Sequence, residues 1–208
     1  MPGIAGGASW AGAAFDPETG ILYVPSNTIP YAVTMTKAPL PHADYIGRVA
    51  PVETIQGVPI WKPPYGRMTA IDMNTGAHRW MAPMGDLANS VPALQKLGLP
   101  PLGRAARSHV LLTKTLLIAG QEGTTQREEI AGRESGSQRG ATAGMSFEVH
   151  DPKLVAHDKA TGKLVGEVAL PRNATAAPMT YMLNGKQFIV VATGGSNLPA
   201  ELIALRLP

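Results

Sequence analysis

Three aspartates of this 208-residue chain, Asp16, Asp72 and Asp158, have the right type to serve as a carboxylate set for general acid–base work. Their surroundings say otherwise. Each is the third residue of one repeated phrase: Ala-Phe-Asp-Pro-Glu-Thr-Gly from Ala14 to Gly20, Ala-Ile-Asp-Met-Asn-Thr-Gly from Ala70 to Gly76, and Ala-His-Asp-Lys-Ala-Thr-Gly from Ala156 to Gly162. An Asp that recurs four residues before a Gly is a turn cap: its carboxylate takes up turn amides, and the Gly supplies the positive φ that closes the turn. The histidines, His42, His78, His109, His150 and His157, are scattered and show no zinc-ligand spacing. Cysteine is absent, which excludes disulfides, thiolate metal sites and thiol nucleophiles together. Gly194-Gly195-Ser196-Asn197 follows a strand but precedes no lysine-bearing helix, so it is not a phosphate-binding P-loop. Glu128 and Glu129 lie in a polar stretch and read as solvated. Asn173-Ala-Thr175 fits a glycosylation acceptor, a frequent chance match.

The elements that must position any site are strands. Gly (23) and Pro (19) are abundant, 44% of residues are hydrophobic, and no amphipathic helix of ordinary length is visible, so the chain reads as a turn-rich all-β protein. A recurring hairpin signal at long, unequal intervals indicates β-propeller blades, four-stranded antiparallel sheets with excursions between strands. Strands are expected at 8–15, 21–26, 31–36, 67–72, 77–82, 109–113, 115–120, 153–158, 163–169, 179–183, 187–193 and 201–206. One helical turn is expected near 91–97. Asn184-Gly185 is a strong two-residue hairpin signal. Prolines make 37–66 read as irregular, and about 121–150 reads as an exposed polar insertion. The whole is one partial propeller domain of about three to four blades. A net charge of +3 without a basic cluster argues against nucleic acid. No 18-residue apolar run predicts a membrane span, and the N-terminus lacks the pattern of a signal peptide. It reads like the middle of a domain, with preceding blades missing.

Several stretches in combination resemble the pyrroloquinoline-quinone-dependent dehydrogenases. Thr69-Ala-Ile-Asp-Met-Asn-Thr-Gly-Ala-His-Arg-Trp80 is similar to their tryptophan-docking repeat, whose Trp wedges between neighbouring blades. The first and third copies lack the Trp. Gly6-Gly-Ala-Ser-Trp-Ala-Gly-Ala-Ala-Phe-Asp-Pro17 resembles the family's Gly-Gly-x-Asn/Asp-Trp segment. Lys62-Pro-Pro-Tyr-Gly-Arg-Met-Thr-Ala-Ile-Asp72 and Leu111-Leu-Thr-Lys-Thr-Leu-Leu117 resemble the glucose-dehydrogenase-like branch. Ala177 to Gly195 is similar to the family's final blade.

The resemblance implies a partial arc of an eight-bladed quinoprotein propeller. It implies oxidation of an alcohol or sugar hydroxyl, with pyrroloquinoline quinone as acceptor and Ca²⁺ as its metal. Electrons then pass to a cytochrome or ubiquinone, in the periplasm. The metal ligands and catalytic base are expected in earlier blades, so no catalytic residue or metal ligand is assigned here. The cofactor candidates are Ser9 and Trp10, where Ser replaces the family's Asn or Asp, Gly7 for close backbone approach, and Arg107 and Ser108, which with His109 precede a strand near the family's cofactor. Two further readings stand beside this one. The first is a non-enzymatic propeller scaffold of the same repeat superfamily, for example in outer-membrane assembly. The second is that the chain is the entire product, an open arc with exposed sheet edges.

Overall fold

The computed structural model describes residues 7–8, 11–39, 41–52, 54–121, 152–195 and 198–206. These residues form three four-stranded antiparallel sheets and two small ribbons. The first sheet has the order β1 (Ala14–Asp16), β2 (Ile21–Asn27), β7 (Gly66–Asp72), β8 (His78–Pro83). Between β2 and β7 the chain leaves the sheet. It builds a ribbon of β3 (Tyr31–Lys37) on β4 (Tyr45–Pro51) and a shorter one of β5 (Thr54–Ile55) on β6 (Val58–Pro59). The short helix α1 (Pro92–Gln95) follows β8. The second sheet is β9 (Val110–Leu112), β10 (Leu116–Gln121), β11 (Lys153–Asp158) and β12 (Leu164–Ala169). In the third, β15 (Lys186–Gly195) carries β13 (Asn173–Ala174) and β14 (Met179–Leu183) along one edge and β16 (Leu198–Arg206) along the other.

Two local expectations need correction. The segment 37–66 is not irregular: β4, β5 and β6 lie within it. Prolines bar a central strand but not an edge strand of a two-stranded ribbon, where half the backbone groups face solvent. The strand expected over 8–15 is broken: only Ala14–Asp16 pairs in register with β2, and Ala8 touches Ser26 through an isolated bridge. Most of the polar insertion, from 122 onward, lies outside the described residues.

The repeated phrase makes one turn three times. In each, the Gly amide donates to the Asp backbone carbonyl four residues back, at 2.8, 2.7 and 2.8 Å, with Gly20, Gly76 and Gly162 at φ +70, +73 and +73. The Asp side chains take turn amides: Glu18 donates to Asp16 at 3.1 Å, Asn74 to Asp72 at 2.9 Å, Thr161 to Asp158 at 2.8 Å. Donors aimed at the carboxylates hold all three acids below their usual range. For Asp16 the largest cause is Lys159, for Asp72 the Asn74 amide, and for Asp158 the Thr161 hydroxyl. All three act as turn caps. The β14–β15 turn has both Asn184 (φ 50) and Gly185 (φ 74) left-handed, the two-residue geometry that this dipeptide favours.

Alternation along β10 shows how the sheets stack. Leu117 and Ala119 pack with Ile21, Tyr23, Met68 and Ala70 of the first sheet, whereas Ile118 packs with Ala174 and Val191 of the third. The middle sheet is therefore apolar on both faces. The outer faces of the stack are apolar too, yet open. Phe15 (53% exposed) and Met81 (47%) lie on the first sheet's far face. Met179, Tyr181 and Leu202 (77%) lie on the third's.

The first and second sheets meet in two ways. At one edge their first strands, β1 and β9, pack directly. At the other, Trp80 of β8 reaches the β11–β12 turn, where its indole Nε1–H donates to the Lys159 carbonyl at 3.1 Å. The Tyr23 hydroxyl donates to the same carbonyl at 3.1 Å, and the two rings lie 5.8 Å apart. A side chain on Gly162 would stand 2.5 Å from the indole. The Lys159 ammonium in turn reaches back to the buried Asp16 carboxylate at 2.6 Å.

Two outcomes are expected. Gly162→Ala and Gly76→Ala carry the same left-handed strain, but only residue 162 would clash with a ring, since nothing lies within 4 Å of a Cβ at Gly76. Denaturant unfolding should show Gly162→Ala costing about 1–3 kcal/mol more, and the excess should vanish on a Trp80→Ala background. The second concerns pH. Asp16 is held low and Lys159 high, each chiefly by the other. The acid's contribution is complete above the unfolded aspartate value of about 3.9 and is lost as pH falls through its lower folded value; the lysine's is complete below about 10.4 and is lost above its raised folded value. Melting curves of Lys159→Met and wild type should therefore differ between those limits and converge beyond them.

Candidate functional site

The three capped turns all lie at one end of the sheets. The opposite end is built from irregular segments, and the described sequence candidates fall there. The chain enters β1 through Gly7 and Ala8. The Asn27 amide, at the end of β2, donates to the Gly7 carbonyl at 2.8 Å, and Ala8 pairs with Ser26. The side chain of Asn27 then spans the gap to the second sheet. Its Nδ2 donates to the Ala106 carbonyl at 2.9 Å, and its Oδ1 accepts from the Ala106 amide at 3.2 Å. A primary amide reproduces the pattern of a strand neighbour, so Asn27 holds the segment entering β9 as a β-ladder would.

That segment is stitched across the first sheet by further backbone contacts. The Tyr65 amide donates to Leu102 at 3.0 Å, the Arg104 amide to Met84 at 2.7 Å, and Asp86 bridges Gly103. The crossing is close enough to require two glycines. A Cβ on Gly66 would collide with the Arg104 carbonyl, and one on Gly103 (φ +71) with the Gly66 carbonyl. Beneath it Tyr65, Leu87 and Val91 form a small core with Trp61 and Leu102. Trp61 is fixed by its indole donating to the Thr28 carbonyl at 3.0 Å. Arg67 donates to the Thr28 hydroxyl at 2.7 Å and the Pro64 carbonyl at 3.2 Å.

The structure thus brings Gly7 and the stretch Arg107–Ser108 to the same end of the same edge, through Asn27. Ser9 and Trp10, which follow Ala8 directly, lie outside the described residues. Arg107 is half-buried, and Ser108 and His109 are buried. Burial, and then the Arg107 charge, push the His109 imidazole below its ordinary value, so it is neutral at pH 7. A guanidinium can pair with a carboxylate of a polyanionic planar ligand. Among the described residues no group of three or more His, Cys, Asp or Glu could hold a metal ion. Asn27, Gly66 and Gly103 escape a sequence reading, because each acts through a partner some forty to eighty positions away.

Asn27 is the testable joint. Asn27→Ala should cost about 1–3 kcal/mol, by leaving the Ala106 amide and carbonyl unpaired, and should speed hydrogen exchange at that amide. Asn27→Asp should be at least as damaging, because a carboxylate oxygen would face the Ala106 carbonyl. A silent Asn27→Ala would show that the two segments meet without it.

The family model of the glucose/ethanol/alcohol dehydrogenase β-propeller domain (PQQ) matches residues 1–189. The chain is 27% identical to a probable quinate dehydrogenase (quinone) of Xanthomonas campestris pv. juglandis, over all of this chain and 27% of that protein. It is 29% identical to the glycerol dehydrogenase large subunit of Gluconobacter oxydans (strain 621H), over all of this chain and 29% of that protein. The chain therefore spans less than a third of the length of these relatives. In structure it superposes on the quinohemoprotein alcohol dehydrogenase of Comamonas testosteroni with a TM-score of 0.55 and 19% identity, covering 93% of this chain and 23% of that one. Three four-stranded sheets stacked face to face, a Trp docked on a Gly of the next sheet and a match over nine-tenths of the length lead to one conclusion: this chain belongs to the β-propeller domain family of the pyrroloquinoline-quinone-dependent glucose, ethanol and alcohol dehydrogenases.

Proposed function

We propose that these sheets form part of a quinoprotein dehydrogenase that oxidises a sugar or alcohol hydroxyl, and that the end bearing Gly7 and Arg107–Ser108 faces its quinone. One observation carries the reading. The segments entering β1 and β9 converge at the edge where the sheets touch, and they bring a cation, a glycine and a buried hydroxyl to one end of the sheets. Pyrroloquinoline quinone, when bound, supplies the two-electron acceptor. The chain's own residues do the holding. Arg107 supplies charge to a quinone carboxylate, Ser108 a hydroxyl, and Gly7 a backbone without a side chain to keep a flat ligand away. Ser9 and Trp10 belong to this assignment by their place in the chain.

The names of the relatives support the substrate class, polyols and ring alcohols among them. Ca²⁺ belongs to the proposal as the family's metal, with its ligands in other blades. So do a cytochrome or ubiquinone as electron acceptor and a periplasmic site of action. Among the described residues no helix is long and apolar enough to cross a membrane. The two open apolar faces of the stack suit neighbouring blades of a longer propeller, in line with the share of the relatives that the chain spans.

The test is to add pyrroloquinoline quinone and Ca²⁺ to the 208-residue chain. Tryptophan quenching reports binding, and dye reduction with glycerol, glucose or quinate reports turnover. Quinone binding with little or no turnover is expected. Arg107→Ala should weaken binding about tenfold or more, as loss of a charge-assisted contact does, and the difference should shrink in high salt. Absence of quinone binding would favour a cofactor-free scaffold. Robust turnover would show that the catalytic base and metal ligands lie within this chain after all.

A further inference from the structure

Among the described residues, His109 is the one buried histidine whose ring makes no hydrogen bond. The other, His157, has its Nδ1 2.9 Å from the Gly162 carbonyl, inside the third capped turn. His109 is only 7% exposed. Its backbone carbonyl accepts from the Gly120 amide at 3.1 Å, which continues the β9–β10 ladder by one residue. Its imidazole has no hydrogen bond among the described residues. A ring nitrogen without a partner is tolerable only where it is not sealed in, since an unmet buried polar atom costs about 1–3 kcal/mol. Among the described residues no sealed side-chain nitrogen or oxygen lacks a partner. The ring of His109 is therefore packed on its carbons and open at its nitrogens.

Its direction follows from the ladder. Val110 and Leu112 face the first sheet and Leu111 the third, so alternation turns His109 toward the third sheet. Opposite it stands Gly120, which has no side chain to cover the ring; a Cβ there would lie 2.7 Å from that of Ala174. The imidazole thus sits in the seam between the second and third sheets, at the end that also carries Arg107. Neutral imidazole offers one N–H donor and one acceptor. A hydroxyl group is likewise donor and acceptor at once. A carboxylate is acceptor only and is better served by the neighbouring guanidinium, whose charge also disfavours a second cation beside it.

We propose that His109 binds a hydroxyl group of the polyol or sugar substrate, its open imidazole nitrogen making the hydrogen bond that the fold leaves unmade. This rests on the dehydrogenase reading above and adds to it a residue that selects the substrate rather than the quinone.

The test is a ring-selective NMR titration of the ¹⁵N-histidine-labelled chain with glycerol, glucose and quinate, with His109 assigned by the signal missing from His109→Gln. The His109 ring nitrogens should shift on addition of at least one of the three, with the other four histidines unmoved. His109→Gln, which keeps a donor and an acceptor, should bind that compound within about threefold of wild type, and His109→Leu about tenfold more weakly, the loss expected for one unmade hydrogen bond. Quinone binding, read separately by tryptophan quenching, should be the same in all three proteins. A His109 signal that no polyol moves, or a His109→Leu variant that binds as wild type does, overturns the proposal even if the quinone still binds. Loss of quinone binding by the wild-type chain would instead strike at the dehydrogenase reading itself. If His109→Leu does not fold, the wild-type titration and His109→Gln decide the matter alone.

Discussion

The indole of Trp80 rests on the second sheet because residue 162 has no side chain. Around that contact two neighbouring sheets are locked in one relative position. Trp80 and Tyr23 share the Lys159 carbonyl, and the Lys159 side chain returns to Asp16. One residue, Lys159, thus satisfies an indole, a phenol and a carboxylate of the other sheet. The same Gly closes its own turn with a positive φ, so a single residue serves local chain reversal and inter-sheet packing. Were the sheets to slide, Asn27 at the far end would no longer meet Ala106, and the segments entering β1 and β9 would separate.

The two ends of the stack are built on different principles. The turn end is repetitive: in each turn the Asp carboxylate and backbone carbonyl take amides from within the same few residues, and Lys159 adds the contacts between the two sheets. The other end has no repeat. Its backbone groups are met by residues distant in sequence, across glycines that permit chain crossings closer than side chains allow. The candidate groups sit there for a physical reason. Irregular backbone can present amides, a guanidinium and an imidazole in combinations that a regular ladder cannot, provided that a rigid scaffold holds it. The small core of Tyr65, Leu87 and Val91 extends that scaffold beneath the irregular end.

Stacking buries both faces of the middle sheet and leaves the outer faces of its two neighbours apolar and open. A sheet buried on both faces carries near-continuous apolar runs, as Leu116 to Ala119 does. The first and third sheets carry runs of the same kind, but each has one face covered and one open. Sheets made to be buried on both sides are the units of a repeating array, in which every member relies on two neighbours.

Much of this was legible in the chain. Three Asp-to-Gly phrases specify three turns, because a cap and a left-handed glycine act within a few residues. Apolar runs between them specify strands, and Asn184-Gly185 a hairpin, for the same local reason. The Trp at the end of the second phrase marks that blade as one that docks. What lay outside the sequence was every contact between distant segments. The strand at 31–36 is legible, but nothing in Tyr45 to Pro51 announces the partner that makes it a ribbon. Nothing in Asn27 announces a bridge to Ala106, nor in Gly66 and Gly103 that each makes room for the other's neighbourhood. His109 reads as an ordinary residue before a strand. Only the stacking of three sheets buries its ring, turns it into a seam and leaves its nitrogens open. Local conformational preference is written residue by residue. Burial, and the company a polar group keeps, is a property of the packed whole.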